Sequence, residues 1–191
     1  MSDIDNTLEE IMTHINTCLN VKCIAQDSIT LEFYSTPQDI HNHILFLCND
    51  RICKFQILID IFIVDYPHRE ARFEIIYSLL SIANNIRIFC KVSLHENENI
   101  TSITNIFNAA GWFEREAFDM YGILFTNNPD LRRILTDYGF SGHPMLKDFP
   151  LSGYKEVRYD IAKKEVIYEP VNLQQDFRSF DFLSPWKEHK P

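Results

Sequence analysis

The chain has 191 residues, 46% of them hydrophobic and 13% aromatic, and a formal net charge of −9 at pH 7. That composition supports one sizeable core plus an arm and excludes wholesale disorder. The negative charge disfavours nucleic acid or an anionic membrane surface as a direct partner, and the longest apolar run, Ile57 to Val64, is interrupted by Asp60 and too short to span a bilayer.

The start, Met1-Ser2-Asp3-Ile4-Asp5, is acidic where a secretory signal or mitochondrial presequence is basic. The expectation is a chain that stays in the compartment of its synthesis or has already been processed. Five cysteines, an odd number, fit a reducing compartment. Cys18 with Cys23 and Cys48 with Cys53 share one spacing, and four thiolates are enough to hold zinc or an iron–sulfur cluster. Each pair straddles a predicted helix-to-strand junction, where cysteine serves as a small buried hydrophobe, so a metal-free chain is expected.

Ile4, Leu8, Ile11, Ile15 and Leu19 recur at helical spacing and predict an amphipathic helix from Asp3 to Leu19. Val21 to Ala25 and Ser28 to Tyr34 read as short strands. Thr36-Pro37 starts a second helix, running to about Cys48 with Ile40, Ile44 and Leu47 inward. Phe55, Ile57, Ile59, Ile61 and Ile63 alternate, and the intervening residues include Leu58 and Phe62, which predicts a central strand. Ala71 to Leu80 and Ile86 to Leu94 predict an antiparallel hairpin turning near Asn84-Asn85. Ile103 to Ala110 reads as a short helix ended by Gly111, and Trp112 to Met120 as a second ended by Gly122. Its apolar face carries Trp112, Phe113, Ala117 and Met120, with Glu116 among them. A carboxylate there needs a partner, and Arg132 or Arg133 is expected to supply it.

The character of the chain then changes. All five glycines lie between Gly111 and Gly153, and six of the eight prolines follow Gly122, so the path becomes irregular and turn-rich. Val157 to Asp160 and Glu165 to Tyr168 predict a hairpin through Lys163-Lys164. Beyond it Phe177, Phe180, Phe182 and Trp186 have no regular period and suit a docking tail. No glycine-rich phosphate loop is present. The fold class is therefore α+β: a mixed β-sheet with flanking helices over residues 1–122, an irregular partner-binding segment with a hairpin over 123–170, and an extended tail over 171–191.

Glu114-Arg115-Glu116-Ala117-Phe118-Asp119-Met120-Tyr121-Gly122-Ile123, followed by Pro129-Asp130-Leu131-Arg132-Arg133-Ile134-Leu135-Thr136-Asp137-Tyr138-Gly139-Phe140, resembles the thirty-kilodalton (C) subunit family of respiratory NADH:quinone oxidoreductase, complex I. Gly142-His143-Pro144, Lys147-Asp148-Phe149-Pro150-Leu151, Gly153-Tyr154, Glu156-Val157-Arg158-Tyr159-Asp160 and Glu169-Pro170-Val171 continue the likeness in order. It extends weakly to Arg72-Phe73-Glu74 and Ser184-Pro185-Trp186. Asn128 stands where that family usually has histidine, and Leu146 where it has arginine.

The resemblance implies a scaffold subunit of the peripheral arm, packed against the forty-nine-kilodalton (D) subunit beside the quinone chamber. FMN and iron–sulfur clusters would reside in partner subunits and none in this chain. The location implied is the cytoplasmic face of a bacterial inner membrane or the matrix face of the mitochondrial one. Candidate partner-binding residues are Glu114, Arg115, Glu116, Asp119, Arg132 and Arg133, then Asp137, Tyr138, His143, Lys147, Asp148 and Phe149. Tyr154 and Arg158 of the hairpin and Phe177, Phe180, Phe182 and Trp186 of the tail complete the set. One alternative is the equivalent subunit of a ferredoxin- or F420-dependent quinone reductase or a membrane-bound hydrogenase. Another is a free-standing enzyme using Glu114, Glu116, Asp119 and His143 as acid–base groups.

Overall fold

A computed structural model describes residues 2–175, with side chains from Leu8 onward. The backbone divides into two compact units, the first ending at Phe149 and the second starting at Pro150. In the first, helix α1 (Ser2–Leu19) precedes strands β1 (Ile24–Ala25) and β2 (Thr30–Ser35), helix α2 (Ile40–Asn49), and strands β3 (Ile57–Asp65), β4 (Phe73–Ser81) and β5 (Ile86–Leu94). The five strands form one mixed sheet in the order β1-β2-β5-β4-β3, in which only β2 and β5 run parallel.

Register explains the core. Phe33, Cys90, Tyr77 and Ile61 stand side by side across four strands, as do Leu31, Ile88, Leu79 and Leu58, and all are buried. Ile11 and Ile15 of α1 and Ile40, Ile44 and Leu47 of α2 join this layer with almost no exposed surface. The helical spacing read from the sequence is thus the buried stripe of each helix. The opposite face alternates charge and ring: Glu32 pairs with Lys91, and Phe62 meets Phe89 edge-on at 6.4 Å.

Two expectations are corrected here. Strand β3 is an edge strand, not a central one. A β-bulge between Leu58 and Asp60 also breaks its alternation, so Ile57 and Ile59 point outward while Leu58, Ile61, Ile63 and Asp65 point inward. One extra residue inverts the phase of everything before it. Ile103 to Ala110 forms consecutive turns rather than a helix, with Phe107 N–H bonded to Ile103 O at 2.9 Å and Ala110 N–H to Phe107 O at 3.0 Å.

The first unit continues through β6 (Ile100–Thr101), helix α3 (Ala110–Tyr121) and β7 (Phe125–Thr126), which lies parallel to β6. Helix α3 packs against β3 and ends at Gly122 in the left-handed region, φ 81°, where glycine is at ease. The second unit contains the hairpin of β8 (Lys155–Asp160) and β9 (Glu165–Pro170).

Candidate functional site

Three buried carboxylates hold the irregular segment 123–149 in place. Asp119, fully buried near the end of α3, is the centre of the largest network. Its Oδ2 accepts the consecutive N–H groups of Ile134, Leu135 and Thr136 at 3.0, 2.7 and 2.9 Å. Its Oδ1 accepts the Arg133 guanidinium at 2.8 Å and the Thr136 hydroxyl. Burial alone would raise the carboxyl pKa, but the Thr136 hydroxyl and the three N–H groups outweigh it and hold Asp119 well below the usual carboxylate range. Arg133 also donates to Gly142 O at 3.1 Å and lies over Phe140, while Phe140 packs on Phe149 at 5.9 Å.

Glu114 is equally buried, and the donors it meets among the described residues are neutral. Oε1 accepts the Ile103 N–H at 2.9 Å and Oε2 the Asn128 amide at 2.7 Å. Burial raises its pKa, only partly offset by those bonds and one from Ser102. It pins the turns after β6 and the loop after β7 to α3.

The third carboxylate was not legible as a site. Asp65 ends β3 in the inward phase, and Arg72 bonds both its oxygens at 2.8 and 3.0 Å. The same guanidinium reaches Asp148 at 2.8 Å and Glu96 at 3.3 Å, while the Lys147 N–H donates to Asp65 at 2.8 Å. The Arg72 bonds lead in holding the Asp65 pKa down. The available signal was an acid at the inward register of an apolar strand, which requires a partner.

His143 fixes a turn. Its Nδ1–H donates to Asp119 O at 3.0 Å, and its ring lies edge-on to Phe118 and against Gly122. A Cβ on Gly122 would stand 2.8 Å from the imidazole, at a φ costing an L-residue roughly 1–2 kcal/mol. Gly122→Ala is therefore expected to lower the urea midpoint, and adding His143→Ala should recover the steric part but not the backbone part. Additive losses in the double variant would disprove the contact.

Glu116 corrects the sequence reading: it is exposed, and Arg132 pairs with Asp130 at 2.6 Å while Arg133 serves Asp119. Helix α3 buries Ala110, Glu114, Ala117 and Asp119, a stripe rotated from the apolar one, and Trp112 is 62% exposed. Phe113, Glu116 and Met120 instead border a groove of about 530 Å³ beside β3, with Ile59, Leu135 and Met145. Arg115 donates to the carbonyls of Arg132 and Arg133 at 3.0 and 3.1 Å. Asp137 and Lys147 have exposed side chains.

What faces outward is large and apolar. Leu135 is 64% and Tyr138 93% exposed, with Trp112 and Met145 also out. In the second unit, Val157, Tyr159, Val166 and Tyr168 share one hairpin face, each more than half exposed. On the other face Arg158 bonds both oxygens of Glu169, at 2.8 and 3.2 Å. Tyr154, before β8, is exposed too. Phe177, Phe180, Phe182 and Trp186 lie outside the described residues.

Residues 33–155 match the family model described as respiratory-chain NADH dehydrogenase, 30 Kd subunit. The chain belongs to that family. The NADH-quinone oxidoreductase C subunit of Wolbachia sp. subsp. Brugia malayi is 62% identical over 168 residues, covering 87% of this chain and 88% of the relative. Its counterpart from Xanthobacter autotrophicus is 49% identical, covering 96% and 89%. Among solved structures, the trypsin-resistant fragment (1-134) of Nqo5 superposes with a TM-score of 0.55 at 23% identity, covering 65% of this chain and 99% of the fragment. A chain of an archaeal membrane-bound sulfane sulfur reductase gives 0.67 at 23%, covering 75% and 85%. Both share the fold.

Within the family pattern, Asn128 now has an account. It supplies Glu114 with a neutral donor at the position where histidine is usual, and its Oδ1 accepts the Asp130 N–H at 2.8 Å. Leu146 packs against the core instead of presenting a charge.

Proposed function

We propose that the chain is a non-catalytic structural subunit of the peripheral arm of a proton-translocating NADH:quinone oxidoreductase, packing against the forty-nine-kilodalton (D)-type subunit near the quinone chamber. One observation carries this reading: the motif's buried charges are committed to internal contacts, while its large apolar side chains face solvent. Asp119 is saturated with donors and held ionised, which disqualifies it as a proton carrier near neutral pH. Glu116 lies exposed to solvent, away from the buried donors gathered on Asp119. Trp112, Leu135, Tyr138 and Met145 instead supply the aromatic and aliphatic anchors on which protein interfaces depend. The hairpin's apolar face supports the same role, because two isolated strands are marginal without a surface to lie on.

In this reading FMN and the iron–sulfur clusters belong to partner subunits, and this chain carries no redox centre. In the same reading contact with the bilayer is through the complex, on the cytoplasmic face of a bacterial inner membrane or the matrix face of a mitochondrial one; no helix among the described residues is long and apolar enough to cross a membrane. Relatives named for NADH-quinone oxidoreductase at 49% and 62% identity favour an NADH-linked assembly over a ferredoxin- or F420-linked one.

The test is affinity capture of the native complex through this chain, with mass spectrometry of what co-purifies. A D-type subunit with flavin-bearing NADH input subunits is expected. Leu135→Glu with Tyr138→Glu should leave the isolated chain's melting temperature unchanged and weaken capture of the D-type partner by about 10-fold or more. Hydrogenase or F420 subunits in place of the NADH input, or unimpaired capture by the double variant, would refute the reading.

A further inference from the structure

Three side chains of metal-binding type, His14, Asp50 and Cys53, converge where α1 passes the turn after α2, and a fourth, Cys18, adjoins them through His14. His14 and Cys18 are one helical turn apart, which stacks them on the same face of α1. Cys18 Sγ lies 3.8 Å from both ring nitrogens of His14. Across from them, Asp50 Oδ1 accepts the N–H groups of Ile52 and Cys53 at 2.9 Å each, closing the turn that brings Cys53 back to Asp50. His14 Nε2 is 3.2 Å from Asp50 Oδ1, and the ligand atoms of His14, Asp50 and Cys53 all lie within 4.8 Å of one another.

We propose that His14, Cys18, Asp50 and Cys53 form a structural zinc site. Zinc takes nitrogen, sulfur and oxygen ligands tetrahedrally at about 2.0–2.3 Å, which places neighbouring donors about 3.3–3.8 Å apart. The His14–Asp50 and His14–Cys18 spacings of 3.2 and 3.8 Å bracket that edge, and the ligand atoms of His14, Asp50 and Cys53 lie no more than 4.8 Å apart. Two sulfurs and an imidazole with a single carboxylate favour zinc over magnesium or calcium, which require oxygen shells.

Supporting contacts are also present. The Ile52 and Cys53 amides orient the carboxylate, and the His14 ring packs on Phe46 at 5.9 Å. A cleft lined by Glu9, Glu10, Thr13, Thr17 and Ile52 reaches the group at His14, and its two glutamates draw cations. The set takes one cysteine from each of the two sequence pairs and replaces the other two with His14 and Asp50, so the cysteine spacing alone conceals it. On binding, the cation displaces the thiol protons of Cys18 and Cys53 while His14 gives a nitrogen lone pair and Asp50 a carboxylate oxygen. Two protons leave to solvent and nothing is oxidised or reduced. The site would clamp α1 to the end of α2, apart from any role of the motif in α3.

The experiment uses the full 191-residue chain, stripped with chelator, kept reduced with a phosphine, and titrated with zinc against a chromophoric competitor, then with cobalt as a spectroscopic probe. One equivalent should bind, raise the melting temperature, and give with cobalt a thiolate charge-transfer band plus tetrahedral ligand-field bands. Cys18 is exposed and His14 only partly buried, so Cys18→Ser and His14→Gln should fold as the parent does. Each should weaken binding by more than the roughly 10–100-fold that loss of a supporting contact costs, while Cys48→Ser should bind like the parent. Three outcomes would each overturn the site: no stoichiometric zinc at micromolar concentration, an octahedral cobalt spectrum lacking the thiolate band, or equal sensitivity to Cys48→Ser.

Discussion

Asp119→Ala is expected to cost the isolated chain about 3–5 kcal/mol of unfolding free energy, the penalty for leaving a buried charge and its partners uncompensated. The variant removes the carboxylate from the Arg133 guanidinium, which keeps only Gly142 O and the Thr136 hydroxyl, and strands the N–H groups of residues 134–136 together. Asp119→Asn should also destabilise, since its NH2 brings a donor where only acceptors are satisfied. Chemical denaturation measures the loss, and hydrogen exchange locates it: amides 134–136 should lose protection first. A cost under about 1 kcal/mol would mean the network is ornamental on the scale of an ordinary hydrogen bond. The pH dependence has a definite sign. Because the folded-state pKa is depressed, the stabilisation is complete above the unfolded value of 3.8 and is lost as pH falls below it. Asp119→Ala should remove that part of the acid sensitivity.

Arg72→Leu is expected to be comparably severe, again about 3–5 kcal/mol, because Asp65 would keep a buried charge facing only the Lys147 N–H. Pairing it with Asp65→Asn should cost less than the two single losses combined, since removing both charges abolishes the stranded one. Additive losses would show that the two side chains act independently. Asp148→Ala should be mild by comparison: its carboxylate is mostly exposed and Arg72 retains Asp65.

The helices, strands and family were readable because they depend on local period and ordered motifs. Leu8, Ile11 and Ile15, and likewise Ile40, Ile44 and Leu47, occupy the buried stripes that spacing alone assigns. Where the reading failed, a tertiary fact overrode a local one. The bulge near Ile59 inverted one strand's phase. Helix α3 carries apolar residues on more than one side, so its apolar stripe pointed to Glu116 when the inward acids are Glu114 and Asp119. Half of the partners of those acids are backbone N–H groups, which every residue but proline possesses and no motif advertises. Arg72 with Asp148 was invisible for another reason: the pair joins residues far apart in sequence.

The single parallel pair in the sheet also constrains the order in which the chain takes shape. Strands β3, β4 and β5 form a meander of consecutive neighbours, whereas β2, paired locally only with the two residues of β1, joins them when Thr30 meets Arg87. Closing that long loop costs entropy before any contact repays it, so the meander forms early and β2 late. On the ribosome, β2 emerges well before the strand it needs, and its buried-to-be residues Leu31 and Phe33 wait exposed until β5 follows. The amino-terminal edge of this domain is therefore where a nascent chain is most open to chaperone capture or to pairing with the wrong strand.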